Sequence, residues 1–298
     1  MIQKIPLTIL ISILLTTVQA QTGTGKLKQE IQQIIQSKKA HIGVSICGPA
    51  DKDTLTINGT DHYPMQSVFK FHLALAVLNR VDKGQLSLEQ KIFIKKADLL
   101  PGMWSPLRED HPNGNVYISV GELLRYTVSS SDNNGCDILF RLMGGTGKVN
   151  EYIHLLGIKD ISIVATEEEM HKSWPVQYTN WTTPSSATRL LQKFNTGSIL
   201  SPTSRSFLWD LMVASVKTDR IKGRLPSGTV VAHKPGTSDT NEQHVTAATN
   251  DIGIVTLPDG QHFSIAVFVS DSNENDSTNA GIIADISKAA WDFFIQKP

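Results

Sequence analysis

Strand-like runs lie near both ends of this chain and helical text fills the middle, and that segregation restricts the fold more than any other feature. "HIGVSIC" (41–47) reads as a strand soon after an amphipathic first helix carrying Leu27, Ile31, Ile34 and Ile35. Strand signals return only late, at "TVVAH", "DIGIVTL" and "HFSIAVFV", with a hairpin-type turn at Pro258-Asp259-Gly260. Between them, "FHLALAVLNRVDKG" reads as a helix from about Phe71 to a glycine stop, and Ser119 with Glu122 forms a capping-box pattern before "GELLRYTV". A closing helix carries Ile282, Ile283, Ile286, Trp291 and Phe294. The expected fold is therefore α/β plus all-α. An antiparallel β-sheet flanked by helices is built from 21–60 and 213–298, with an inserted helical domain over 61–212 and a cleft between them suited to a small ligand.

The opening "MIQKIPLTILISILLTTVQA" places one lysine before an apolar run and ends in a small-residue cleavage pattern, as a secretory signal peptide does over 1–20. No later apolar run is long enough to cross a bilayer, so a secreted, periplasmic protein free of the membrane is expected. Removing Lys4 with the signal leaves 28 − 1 = 27 basic against 28 acidic side chains, a balance that favours neither nucleic acid nor an anionic surface as partner. A monomer is expected. Export permits a disulfide, but Cys47 sits in a strand pattern and Cys136 in a helical one, which favours two buried free thiols.

Four short stretches can carry chemistry. Ser67 and Lys70 are three residues apart at a helix start, so the lysine can reach a hydroxyl that needs an adjacent base to become a nucleophile. Taken alone, a serine three before a lysine arises by chance in most chains of this length. Ser131-Asp132-Asn133, inside "SSSDNNG", is turn-forming text that could also present a second hydroxyl for proton relay. "EEEMH" (167–171) is either a solvated charge run or the source of a buried general base, and a lone histidine such as His171 is more often structural than catalytic. "VAHKPGTS" (231–238) puts Pro235 directly after Lys234 in a strand, and a proline inside a sheet belongs on an edge, at a strand start or at a bulge.

In this order the four stretches resemble the serine β-lactamases of class A, with their S-x-x-K, S-D-N and K-T-G motifs. "PMQSVFK", "SDNNGCDILF", "EEEMHK", "QYTNWTTP" and "TAATNDIGI" are similar to the extended-spectrum PER- and VEB-like subgroup. The resemblance implies hydrolysis of a small-molecule β-lactam, with no cofactor and no metal. It makes Ser67 the acylated nucleophile and Lys70 the group that accepts or relays its proton. Ser131 becomes the proton donor to the leaving nitrogen, Glu167 the activator of the hydrolytic water, and Lys234 the positive charge for the substrate carboxylate. The backbone N–H groups of Ser67 and Thr237 form the oxyanion hole. Asn133, Gly236, Thr237, His171, Arg220 and Trp104 are implied substrate contacts, although a surface arginine and a packing tryptophan are the plain alternatives for the last two.

Four positions depart from the general family pattern. His171 stands where it has asparagine, and Ala165 and Asn180 replace an arginine–aspartate clasp; both changes are shared with the subgroup and imply a wider site. Pro235 stands where a hydroxyl residue contacts the carboxylate. Residues two apart in a strand aim their backbone groups alike, so if Thr237 points its N–H into the cleft, Pro235 lies on the free edge and costs no ladder bond. The missing hydroxyl keeps open a penicillin-binding sensor or a transpeptidase-like protein that acylates without efficient turnover.

Overall fold

The computed structural model describes residues 23–296; the expected signal peptide at 1–20 lies outside them. Helix α1 (Gly23–Ile35) leads into strands β1 (His41–Cys47), β2 (Leu55–Ile57) and β3 (Tyr63–Pro64). The middle of the chain carries α2 (Phe69–Asp82), β4 (Lys91–Ile94), α3 (Pro106–Asp110), β5 (Val116–Ser119), α4 (Val120–Val128), α5 (Asn133–Met143) and α6 (Thr146–Leu155). There follow β6 (Ile161–Ser162), α7 (Glu167–Lys172), β7 (Trp181–Thr182), α8 (Pro184–Asn195) and α9 (Pro202–Val213). The last third supplies β8 (Val231–Thr237), β9 (Thr246–Thr256), β10 (His262–Ser272) and α10 (Asp276–Ile295).

The strands from the two ends form one five-stranded antiparallel sheet in the order β2-β1-β10-β9-β8, which leaves β8 on an edge. Alternation along the strands feeds two cores. On β10, Ile265, Val267 and Val269 point to a core shared with Leu27 and Ile31 of α1 and Ile282, Ile283 and Ile286 of α10. Ala266 and Phe268, on the other face, join the core of the central helices. The fold class read from the sequence is the one observed.

Helix α2 is the pillar of the second core. Every residue from Phe69 to Leu78 is buried, so that stretch is enclosed on all sides and only the last turn of the helix meets solvent. Its polar members are tied down locally. Burial pushes the His72 imidazole down to about 4, keeping it neutral while Nδ1 lies 3.3 Å from the Val68 carbonyl. Cys47 and Cys136 are free and buried, in β1 and α5.

Candidate active site

Ser67 does not lie on α2 itself but in a 3-10 turn, Gln66–Val68, that runs into it at Phe69, two residues earlier than the sequence pattern indicated. Gln66 is held at φ 47°, a left-handed conformation that costs a non-glycine residue on the order of 1–3 kcal/mol and persists where the surroundings dictate it. Those surroundings are β8, β9 and a distant loop. The Asn180 carbonyl accepts from the Met65 N–H at 2.9 Å, and the Asn250 side chain donates to the Pro64 carbonyl at 2.8 Å. A Cβ at Gly236 would stand 2.5 Å from the Met65 carbonyl and 3.2 Å from the Ser67 nitrogen. Only glycine lets the strand pass this close to the Ser67 backbone.

Lys70, one turn on and fully buried, brings its Nζ among four oxygens. It lies 3.0 Å from Ser67 Oγ, 2.7 Å from the Ser131 carbonyl, 2.6 Å from Asn133 Oδ1 and 2.8 Å from Glu167 Oε1. The structure thus places the Ser67 hydroxyl, the Lys70 amine and the Glu167 carboxylate in one contact chain. The geometry of the Lys70–Glu167 contact is that of an ion pair rather than a hydrogen bond, and Oε1 has no hydrogen-bond partner among the described protein groups.

Glu167 is positioned from its backbone. The stretch that showed no periodicity is the six-residue helix α7, started by Thr166, whose hydroxyl accepts from the Glu169 N–H while the Glu169 carboxylate accepts from the Thr166 N–H. Asp137, buried on α5, accepts the Glu167 and Glu168 N–H groups at 2.8 and 2.9 Å. Burial, reinforced by the nearby Glu167 charge, pushes the Asp137 carboxyl up to about 6 against the lowering effect of those hydrogen bonds. Asn180 supplies the clasp by another route. Its Oδ1 accepts from the Val164 and Ala165 N–H groups at 2.8 and 2.9 Å, and its Nδ2 donates to the Ala165 carbonyl at 2.8 Å. A side chain gripping backbone does here what two opposite charges could do.

Ser131 is likewise left-handed, at φ 58°. The next residue locks it there: Asp132 caps α5 by accepting the Gly135 N–H at 2.7 Å, and also accepts from the Leu107 N–H and the Ser105 hydroxyl. Lys234, fully buried, donates from Nζ to Ser131 Oγ at 2.9 Å. Burial, followed by the charge of Lys70, pulls the Lys234 amine well below its ordinary value.

Pro235 sits on the edge strand in register with Asp251. Val230 and Ser238 exchange hydrogen bonds with β9 residues, so even-numbered positions face the ladder and the odd ones, Pro235 and Thr237, turn their backbone groups to the free edge. The proline removes no sheet bond. Its carbonyl accepts from Lys234 Nζ at 3.0 Å. Arg220 lies against the strand and donates to the Gly236 and Asn250 carbonyls at 3.0 and 2.8 Å and to Thr237 Oγ1 at 2.6 Å. It is buried, and it reaches the cleft through Thr237.

A cleft of about 370 Å³ opens over these groups, lined by Ser67, Asn133, Glu167, Thr237, Trp104 and His171 among others. Trp104 is 57% exposed and anchored by its indole N–H to the Ser130 carbonyl at 2.9 Å, which makes it a rim residue and not core. His171 Nε2 lies 3.1 Å from the Gly102 carbonyl and ties α7 to the loop carrying Trp104 across the mouth. Gln66 and Gln177, hydrogen-bonded at 2.5 Å, close the floor beside Ser67 and were not singled out from the sequence. Asp137 was also missed; an acid set directly between the apolar Cys136 and Ile138 was its only signal.

The model of the β-lactamase enzyme family matches residues 26–294. The chain is 47% identical over 294 residues to β-lactamase VEB-1 of Pseudomonas aeruginosa, covering 98% of each chain. It is 45% identical over 272 residues to the extended-spectrum β-lactamase PER-1 of the same organism, covering 91% of this chain and 88% of that one. Among solved structures, the TLA-1 extended-spectrum β-lactamase superposes with a TM-score of 0.90 at 56% identity, covering 92% of this chain and all of that one.

Proposed function

The chain belongs to the β-lactamase enzyme family, class A, and on that premise we propose that it hydrolyses β-lactam antibiotics through an acyl group carried on Ser67. In acylation, Lys70, its own proton given to the Glu167 carboxylate 2.8 Å away, takes the Ser67 proton across 3.0 Å as Ser67 Oγ attacks the lactam carbonyl. The carbonyl oxygen gathers charge between the backbone N–H groups of Ser67 and Thr237, where one such donor is worth about 2.7–4 kcal/mol. Ser131 Oγ gives its proton to the departing nitrogen and takes up the one that Lys70 received from Ser67, while Lys234 Nζ, 2.9 Å away, keeps the Ser131 hydroxyl in place. In deacylation, Glu167, ionised again once its proton has gone back to Lys70, takes a proton from water, whose oxygen attacks the ester carbonyl, and that proton passes by way of Lys70 to Ser67 Oγ as the C–O bond breaks. Asn133, Trp104, His171 and Gly236 border the acyl side of the substrate; Lys234, Thr237 and Arg220 serve its carboxylate.

The observation that carries this reading is the buried Glu167 carboxylate in contact with Lys70 in the cleft lined by Ser67. A transpeptidase-like protein needs the serine and lysine but not a base that discharges the acyl group. The open rim at Trp104 and His171, and the extended-spectrum relatives, favour oxyimino cephalosporins among the substrates. Export to the periplasm by the N-terminal segment, action as a monomer and resistance of the host complete the reading; among the described residues no helix is long and apolar enough to cross a membrane. Pro235 favours the second reading, a penicillin-binding protein that stalls as the acyl form. Steady-state hydrolysis of a penicillin and an oxyimino cephalosporin by residues 21–298, beside Ser67→Ala, decides between them. Multiple turnover lost in the variant supports the hydrolase, and a single stoichiometric reaction supports the sensor.

A further inference from the structure

The face of β8 and β9 turned away from the central helices carries a buried polar chain that none of the steps above uses. Asp251, opposite Pro235 in the ladder, and His233, on the strand itself, are both fully buried. His233 Nδ1 lies 3.0 Å from both Asp251 oxygens. Space for the imidazole comes from Gly253, its partner in register: a Cβ there would stand 2.9 Å from His233 Cβ and 2.9 Å from the Ala232 carbonyl. Asp251 Oδ2 also accepts the Ile221 N–H at 3.3 Å, which pins the segment beside Arg220 to the sheet.

From Arg220 the chain continues to Thr237. A guanidinium only donates, so Thr237 Oγ1 must accept from it and the hydroxyl proton is left to point elsewhere. Thr237 is the exposed residue of β8 and lines the cleft. Arg220 is 8% exposed, and burial works against its charge while the Asp251 carboxylate supports it.

We propose that Asp251, fixed by His233, is a positioning residue for the carboxylate end of the cleft: it holds Arg220 against the sheet so that Arg220 turns the Thr237 hydroxyl outward as a donor to the substrate's anion. With proline at 235, this hydroxyl is the one that β8 offers. The inference rests on the reading that Thr237 and Arg220 serve the substrate carboxylate. Asp251 and His233 touch neither substrate nor reacting atoms and act through Arg220.

The test compares a cephalosporin bearing its free carboxylate with the methyl ester of the same compound, using the mature protein, Asp251→Asn and His233→Gln. The readout is the ratio of kcat/KM for acid over ester. In both variants that ratio falls about tenfold or more through a higher KM for the acid, the size expected when a hydrogen bond to a charged group is lost, while the ester is processed within about twofold of the parent. Equal losses on the two compounds, or an unchanged ratio, overturn the proposal and reduce the network to a structural one. If Asp251→Asn does not fold, His233→Gln decides by the same ratio. A parent protein that turns over neither compound instead overturns the hydrolase reading.

Discussion

The wall of the cleft made by α2, α5 and α7 and the wall made by β8 hold their groups by opposite means. On the helical wall, Ser67, Lys70, Asn133 and Glu167 meet side chain to side chain within 2.6–3.0 Å, so each position depends on the others being present. On the strand wall the backbone does most of the placing. Gly236 admits the strand to the Ser67 turn, the sheet parity aims Thr237, and Pro235 contributes a carbonyl that any residue could supply. Substitutions on the first wall should therefore strike bond making and breaking, and substitutions on the second should strike substrate affinity.

The largest effect expected is that of Glu167→Gln. Removing a positioned general base costs about 10²–10⁴-fold, so kcat for a cephalosporin should fall by that factor with no comparable rise in KM. A matching rise in KM would erase the contrast between the walls. Asp137→Ala comes next. It leaves the Glu167 and Glu168 N–H groups without their acceptor, at roughly 1–3 kcal/mol each. We expect about 10–100-fold slower deacylation, seen as a burst followed by a slow steady state in stopped-flow absorbance. The strand wall is sharpened by Pro235→Thr, which restores a hydroxyl at the free edge. KM for carboxylate-bearing substrates should fall by roughly tenfold with kcat little changed; equal kinetics in the two proteins would show that residue 235 has no part in holding the anion. Asn180→Ala should lower stability by about 1–3 kcal/mol in urea denaturation while weakening turnover less than Asp137→Ala does, since it frees Val164 and Ala165 and not Glu167 itself.

A titration gives a smaller effect. Burial lifts the Asp137 carboxyl from its ordinary value of 3.8 to about 6, so the folded protein takes up this proton at higher pH than the unfolded chain. Between those values the folded state holds more proton, and this group's contribution to stability declines as pH rises through the window. Asp137→Asn should remove that slope from a plot of Tm against pH, although the rest of the curve stays.

The helical wall was the more legible of the two in the sequence. Ser67, Lys70, Ser131 and Asn133 were marked by spacing and order, and the structure brings them together around Lys70. The edge position of Pro235 followed from strand parity once the resemblance aimed the Thr237 N–H into the cleft. What stayed hidden was whatever depends on contacts between distant segments or on elements too short to show a period. The turn Gln66–Val68, α7 and the two-residue strands β3, β6 and β7 fall in that class. For α7 a cue was present, because Thr166 with Glu169 is a capping box, but three successive glutamates masked it. Asn180 gripping Ala165, and Arg220 lying against β8 with its fork spent on two carbonyls and a hydroxyl, are facts of the third dimension. No local pattern encodes them.

The measurement that bears most directly on the division of labour is intact mass spectrometry of the mature protein and of Glu167→Gln, sampled from seconds to an hour with excess cephalosporin. The parent should return to its unmodified mass as product accumulates, while the variant should carry one acyl group on Ser67 throughout. A persistent adduct on the parent, or a variant that clears its adduct as fast as the parent, would contradict the assignment of deacylation to Glu167.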